Sequence, residues 1–183
     1  MKLKCSLHNW IYTKRNEEIE KATIYRILHE ISLGMHYLHS QSPIIIHRDL
    51  KSPNILVQKL NTHCHLLVKL DNALHVKITD FGLAKTKEHS QIQTLANVMG
   101  TVPWSAPEYL TAKRIKDRNE KGDVFSFGVI AWELIAKQTP WKSSGMSADD
   151  IRELVVDGTR LEIPSECPLE LKEVISQCWK ASK

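Results

Sequence analysis

The sequence predicts a mainly α fold with a few short strands gathered beside one charged loop, and three stretches predict it. Residues 20–39, EKATIYRILHEISLGMHYLH, place Ile24, Ile27, Leu28, Ile31, Met35 and Leu38 at helical spacing, with polar residues on the other face. Residues 123–138, DVFSFGVIAWELIAKQ, are apolar on nearly every side, which puts that helix in the middle of a domain. Between them, IIIHRDLKSPNIL, residues 44–56, runs from an apolar triplet straight into charged residues. Charges clustered at the end of an apolar run need partners or a chemical task. The apolar flanks predict a rigid loop that aims Asp49, Lys51 and Asn54 at a common point.

In chain order, the helix over 20–39 stops at SQSP, because Pro43 disfavours helical geometry at the residue before it. Residues 44–46 read as a short buried strand entering the charged loop. NILVQ reads as another strand, and HVKITDFG alternates Val76 and Ile78 on one face; together they predict a small hairpin beside the loop, across the polar connection 58–75. Residues 83–102 carry little pattern and much polarity, and read as a mobile segment. Asp123 stands at the start of its helix, where a carboxylate can cap free N–H groups. SADD at 147–150 is a capping box opening a helix through Val156, with Gly158 closing it. A last helix begins near Pro168 and runs to the final residue, Lys183.

With 183 residues the chain can bury one real core and is marginal for two. Its net charge of +4 is too small, and its basic residues too scattered, to argue for nucleic acid. No apolar run reaches the length of a membrane span, and charge interrupts the first residues before any secretory pattern forms. Four scattered cysteines (Cys5, Cys64, Cys167 and Cys178) therefore read as reduced thiols of a cytoplasmic protein. HCH at 63–65 reads as a surface loop, not a metal site, since an extended segment would point Cys64 away from His63 and His65.

The charged loop suits phosphoryl transfer by residue type alone. Asp49 can take or orient a hydroxyl proton, Lys51 can offset phosphate charge, and Asn54 can ligate a hard cation through its amide oxygen. Asp80 precedes Phe81 and Gly82, where the backbone can turn sharply, and supplies a second oxygen ligand for Mg²⁺. Such chemistry asks for positioning and charge neutralisation more than for a covalent intermediate.

In this order, HRDLKSPN, DFG and APE (Ala106, Pro107, Glu108), followed by KGDVFSFGVIAWEL, resemble the catalytic loop, metal-binding motif, segment end and central helix of a eukaryotic protein kinase. The resemblance covers essentially the whole chain and implies a protein-kinase-like fold: a C-terminal lobe, mainly α, with a small β-hairpin next to the catalytic loop. It implies ATP and Mg²⁺ as cofactors and a protein as substrate. It makes Asp49 the catalytic base, Lys51 the γ-phosphate contact, and Asn54 and Asp80 the metal ligands. It makes Arg48 the receiver of a phosphate from the segment between DFG and APE, where Ser90 and Thr94 are the candidates. His47 and Phe81 would align the site by packing, Glu108 would anchor the segment end, and Asp123 would hold the catalytic-loop backbone.

Lys51 two residues after Asp49, with GTVPWSAPE downstream, is similar to serine/threonine kinases, in which Thr101 would bridge Asp49 and Lys51. KSPN and DVFSFGV look like the tyrosine-kinase-like branch, with mixed-lineage kinases as the nearest group; that implies a role in a MAP kinase cascade and a MAP kinase kinase as substrate. No GxGxxG loop or VAIK-type lysine occurs, and CWKASK stops before the arginine expected to pair with Glu108. Residues 1–183 are thus expected to be a partial kinase domain, lacking the small ATP-clamping lobe and the extreme C-terminal end, with little activity alone. The alternative is a non-catalytic, pseudokinase-like module that docks a partner through its helices.

Overall fold

A computed structural model describes residues 4–59, 74–80, 85–86, 101–112, 119–142 and 145–180. Helix and strand follow chain order as β1 (Lys4–Ser6), α1 (Leu7–Thr13), α2 (Lys21–His39), β2 (Ile45–Ile46), β3 (Ile55–Lys59), β4 (Leu74–Ile78), β5 (Lys85–Thr86), α3 (Pro107–Thr111), α4 (Glu120–Ala136), α5 (Ala148–Val156) and α6 (Leu169–Cys178). Two 3₁₀ turns, Ser52–Asn54 and Val102–Trp104, lie between them. The mainly α architecture expected from the sequence is the one observed, with a small antiparallel sheet beside the charged loop.

α2 forms where the periodicity places it and buries Ile24, Ile27, Leu28, Ile31, Met35 and Leu38. Beyond its end, Ser40 Oγ and Gln41 Nε2 both donate to the Tyr37 carbonyl, at 3.0 and 2.8 Å, satisfying an acceptor the last turn leaves open. The expected hairpin is present, with β3 and β4 antiparallel in the register Val57↔Val76. Its outer edge is covered by β1, which pairs Cys5 with Val57. A second ladder pairs β2 with β5, Ile46 opposite Lys85. β1 and α1 carry too few apolar residues for periodicity to reveal them: α1 buries only Leu7 and Ile11, and Ser6 caps it by accepting Asn9 N–H at 3.2 Å. Gly34 lets α2 lie against β4, since a Cβ there would meet Ile78 Cδ1 at 2.8 Å.

Three expectations change. α4 starts one turn before residue 123 and is capped by Asn119, whose side chain accepts Lys121 N–H at 3.0 Å, so Asp123 does not cap its own helix. α6 does not run to residue 183; it ends at Cys178, and the Trp179 carbonyl turns out of the helix to accept Arg160 Nε at 3.3 Å. The third concerns the segment 83–102. Residues 85–86 form β5, and 101–102 belong to an ordered turn; the rest of that segment, like the HCH triplet, lies outside the described residues. The capping box of α5 forms as read, with Ser147 and Asp150 bonding each other's backbone, and Gly158 follows the helix at φ +94°. Among the described residues no helix is long and apolar enough to cross a membrane.

α4 is enclosed by the others and buries, among others, Phe125, Val129, Ile130, Ala131, Trp132 and Leu134. Two glycines set how closely its neighbours approach. A Cβ at Gly128 would meet Cys178 Cβ at 2.7 Å, and one at Gly122 would meet the Tyr109 ring at 2.1 Å. Tyr109 is held in place by its hydroxyl, which donates to the Asn119 carbonyl at 2.5 Å. Gly122→Ala is therefore expected to destabilise the fold by ~1–3 kcal/mol through overpacking, although alanine is the better helix former. A lowered urea midpoint with an unchanged m-value checks this.

Candidate active site

The loop after β2 is held from below by one carboxylate. Asp123 is 1% exposed, its Oδ2 accepts His47 N–H at 2.8 Å, and its Oδ1 accepts Arg48 N–H at 2.8 Å. His39 at the end of α2 adds a contact to Oδ2 at 3.0 Å. These bonds hold Arg48 at φ +67°, a left-handed conformation that a side-chain-bearing residue adopts only when its surroundings enforce it. The reversal redirects the chain so that Asp49 follows with its side chain toward Lys51 and Asn54.

His47 couples this loop to the end of β4. Its Nδ1 lies 3.3 Å from Asp49 N–H and so must accept, which leaves the proton on Nε2 to be donated to the Thr79 carbonyl at 3.1 Å. Thr79 closes the arrangement by donating N–H and Oγ1 to the Asn54 carbonyl, at 2.8 and 3.0 Å. Asp80, the next residue, is exposed and takes φ +64°. Phe81, Ser90 and Thr94 lie outside the described residues.

Four of the predicted residues converge. Asp49 Oδ2 is gripped by Lys51 Nζ at 2.9 Å and by Asn54 Nδ2 at 2.9 Å, and the same Asn54 nitrogen donates to the Asp49 carbonyl at 2.8 Å. Lys51 Nζ also donates to Thr101 Oγ1 at 3.2 Å. The other carboxylate oxygen, Asp49 Oδ1, is buried and has no hydrogen-bond partner among the described residues. An acceptor in that condition is costly unless something arrives to use it. A hydroxyl proton is the natural occupant, and Lys51 stands alongside to balance a phosphate.

The donor set also fits a hard cation. Because the Asn54 nitrogen is committed to Asp49, its amide oxygen is the pole left for a metal, and the exposed Asp80 is the carboxylate that would join it. Among the described residues no group of three or more His, Cys, Asp or Glu is arranged to hold a metal ion by itself. A cation held here would complete its shell with phosphate oxygens and water, as Mg²⁺ usually does.

Arg48 is 6% exposed and its Nε has no partner among the described residues. Glu108 lies in the first turn of α3, and its charge raises the pKa of Arg160 against burial, which lowers it more. Arg160 itself is seated over the Phe125 ring at 5.1 Å and donates to the Val155 and Thr159 carbonyls.

One residue escaped sequence reasoning. Glu133 of α4 is fully buried, accepting Ser52 Oγ at 2.9 Å and Trp104 Nε1 at 2.7 Å. Burial pushes its carboxyl up to about 8, outweighing the two hydrogen bonds that pull it down. An acid inside the otherwise apolar stretch 127–136 was the signal available to find it.

The family model for protein tyrosine and serine/threonine kinases matches residues 2–183. A protein of Acanthamoeba polyphaga mimivirus named as a serine/threonine-protein kinase/receptor is 38% identical over 176 residues, covering 96% of this chain and 9% of that protein. The serine/threonine-protein kinase CTR1 of Arabidopsis thaliana is 35% identical over 181 residues, covering 89% of this chain and 20% of CTR1. SIS8 of the same plant, named as a probable serine/threonine-protein kinase, is 38% identical across 96% of this chain and 15% of its own length. The chain thus spans a fifth or less of each of these relatives.

Two consequences are measurable. Asp123→Ala orphans two buried N–H groups and releases the strained Arg48 backbone, so unfolding free energy should drop by ~2–4 kcal/mol in denaturant titration. Glu133 gives a pH signature. Unfolded, its carboxyl ionises near the ordinary 4.5, whereas folded it keeps its proton to about 8. The native state therefore binds more protons between those values; the group's stabilising contribution is complete below about 4.5 and is lost as pH rises to about 8. Glu133→Gln has no proton to lose, so the wild type should lose stability relative to this variant across that window, read as the difference between their denaturation midpoints.

Proposed function

Because this chain belongs to the protein tyrosine and serine/threonine kinase family, we propose that it carries the catalytic-loop lobe of a domain that transfers the ATP γ-phosphate to serine or threonine hydroxyls of protein substrates. The observation that supports it most is the split use of the Asp49 carboxylate: Oδ2 held by Lys51 and Asn54, Oδ1 buried and open. A carboxylate fixed through one oxygen keeps the other in a defined direction, as orienting an acceptor hydroxyl and taking its proton demands. Lys51, tied to both Asp49 and Thr101, sets a positive charge beside the incoming phosphoryl group. Asn54 and Asp80 would hold Mg²⁺, which when bound with ATP supplies charge neutralisation on the phosphates.

The acceptor assignment is supported by the Lys51–Thr101 contact and by relatives whose names carry serine/threonine kinase. Placement in the tyrosine-kinase-like branch near mixed-lineage kinases, with a MAP kinase kinase as substrate, is the finer form of this reading and rests on KSPN and DVFSFGV. Arg48, with a buried Nε open to an anion, is the proposed receiver of a phosphate on Ser90 or Thr94, which would give it a bidentate partner.

The full-length protein carrying these residues should phosphorylate Ser/Thr peptides in an ATP- and Mg²⁺-dependent assay. Asp49→Asn should cut kcat by about 10²–10⁴-fold with little change in KM for ATP, because the interaction it removes belongs to the transition state. Phosphotyrosine as the main product would refute the acceptor assignment, and turnover indifferent to Asp49 would refute the mechanism.

A further inference from the structure

The two turns that carry the ends of the Lys51–Thr101 contact meet again on the far side, at Glu133. Ser52, the residue after Lys51, donates to Glu133 Oε1, and Trp104, which ends the turn following Thr101, donates its indole N–H to Oε2. Ser52 is wholly buried and Trp104 is 5% exposed, so both groups would be orphaned without this acceptor. α4 grips the second turn once more, through Ser126 Oγ donating to the Trp104 carbonyl at 2.7 Å, and Ser105 Oγ ties that turn back to the Thr101 carbonyl at 3.1 Å. His8 of α1 packs on the same carboxyl, with Nδ1 4.0 Å from Oε1. We infer that Glu133 is a positioning residue for phosphoryl transfer: by holding Ser52 and Trp104 at once, it fixes where Lys51 stands relative to Thr101. The inference rests on the kinase reading above.

A leucine would fill the same space without burying an acid, so packing does not account for the residue. What leucine lacks is a fork. The indole N–H can only donate, so Oε2 must accept; the serine hydroxyl can donate or accept, so Oε1 serves it whether or not it carries the proton. Glutamine keeps this pattern, its amide oxygen on Trp104 and its nitrogen on Ser52. The two partners lie 81 and 29 residues from Glu133 along the chain, so this link forms only once the helices have packed.

The test uses the full-length protein, assayed at a temperature where circular dichroism shows each variant folded. Glu133→Leu should lower kcat about tenfold or more while KM for ATP changes little, since a displaced catalytic group costs rate before affinity. Glu133→Gln should recover most of that loss. In ¹⁵N-labelled protein, the Trp104 indole N–H, assigned with Trp104→Phe, should exchange slowly in the wild type and Glu133→Gln and fast in Glu133→Leu. A folded Glu133→Leu variant with wild-type kcat overturns the inference, as does a glutamine variant no better than leucine. If Glu133→Leu does not fold, Trp104→Phe carries the test, with about a tenfold loss of kcat expected and an unchanged kcat overturning the role. Wild-type protein lacking Asp49-dependent turnover removes the kinase reading and this role with it. Asp49-dependent turnover with indifferent Glu133 variants removes this role alone.

Discussion

Two consecutive backbone N–H groups, those of His47 and Arg48, end on the two oxygens of Asp123, and the rest of the site depends on that bidentate hold. The carboxylate is almost fully buried, so the acid is kept there by its donors; without them its desolvation would be prohibitive. In return it maintains Arg48 in a conformation the chain would not adopt unaided. Every later feature follows from the direction the backbone takes at that point. His47 reaches Thr79, Asp49 meets Lys51 and Asn54, and the end of β4 is drawn alongside.

α4 is therefore less a structural filler than a template. Along one helix it presents Asp123 to the catalytic loop, Ser126 to the Trp104 carbonyl, and Glu133 to Ser52 and Trp104. A helix apolar on nearly all sides sits where its polar residues can reach two segments at once. Close approach is secured by glycines: Gly122 admits Tyr109 and Gly128 admits Cys178 and Trp179. The buried polar groups cost stability one by one and offset that cost only as a satisfied network. Within the loop, Asp49 Oδ1 and Arg48 Nε stand outside that network, buried and without a partner among the described residues.

Much of this was legible beforehand, for identifiable reasons. The apolar face of α2, the β3–β4 pairing and the α5 capping box are local patterns written within a few residues of one another. Where the pattern was short or ambiguous, reading failed. β1 and α1 offer too few apolar positions, and the start of α4 hinges on whether Asn119 or Asp123 caps it. Helix α6 ends at Cys178, and the Trp179 carbonyl just beyond it is taken by Arg160, which comes from a different segment.

By itself the sequence determined which residue types are at hand: an acid, a lysine and an amide within HRDLKSPN, and a second acid in DFG. Only the tertiary structure decided which atoms of those residues are spent and which are free. Asp49 turns one oxygen to Lys51 and Asn54 and keeps the other open, and Asp123 serves a loop rather than its own helix. The physical reason is distance along the chain. Asp123 bonds backbone groups 75 and 76 residues away, and Glu133 a hydroxyl 81 residues away. Periodicity and capping act within a turn or two, whereas these partners meet only once the helices have packed.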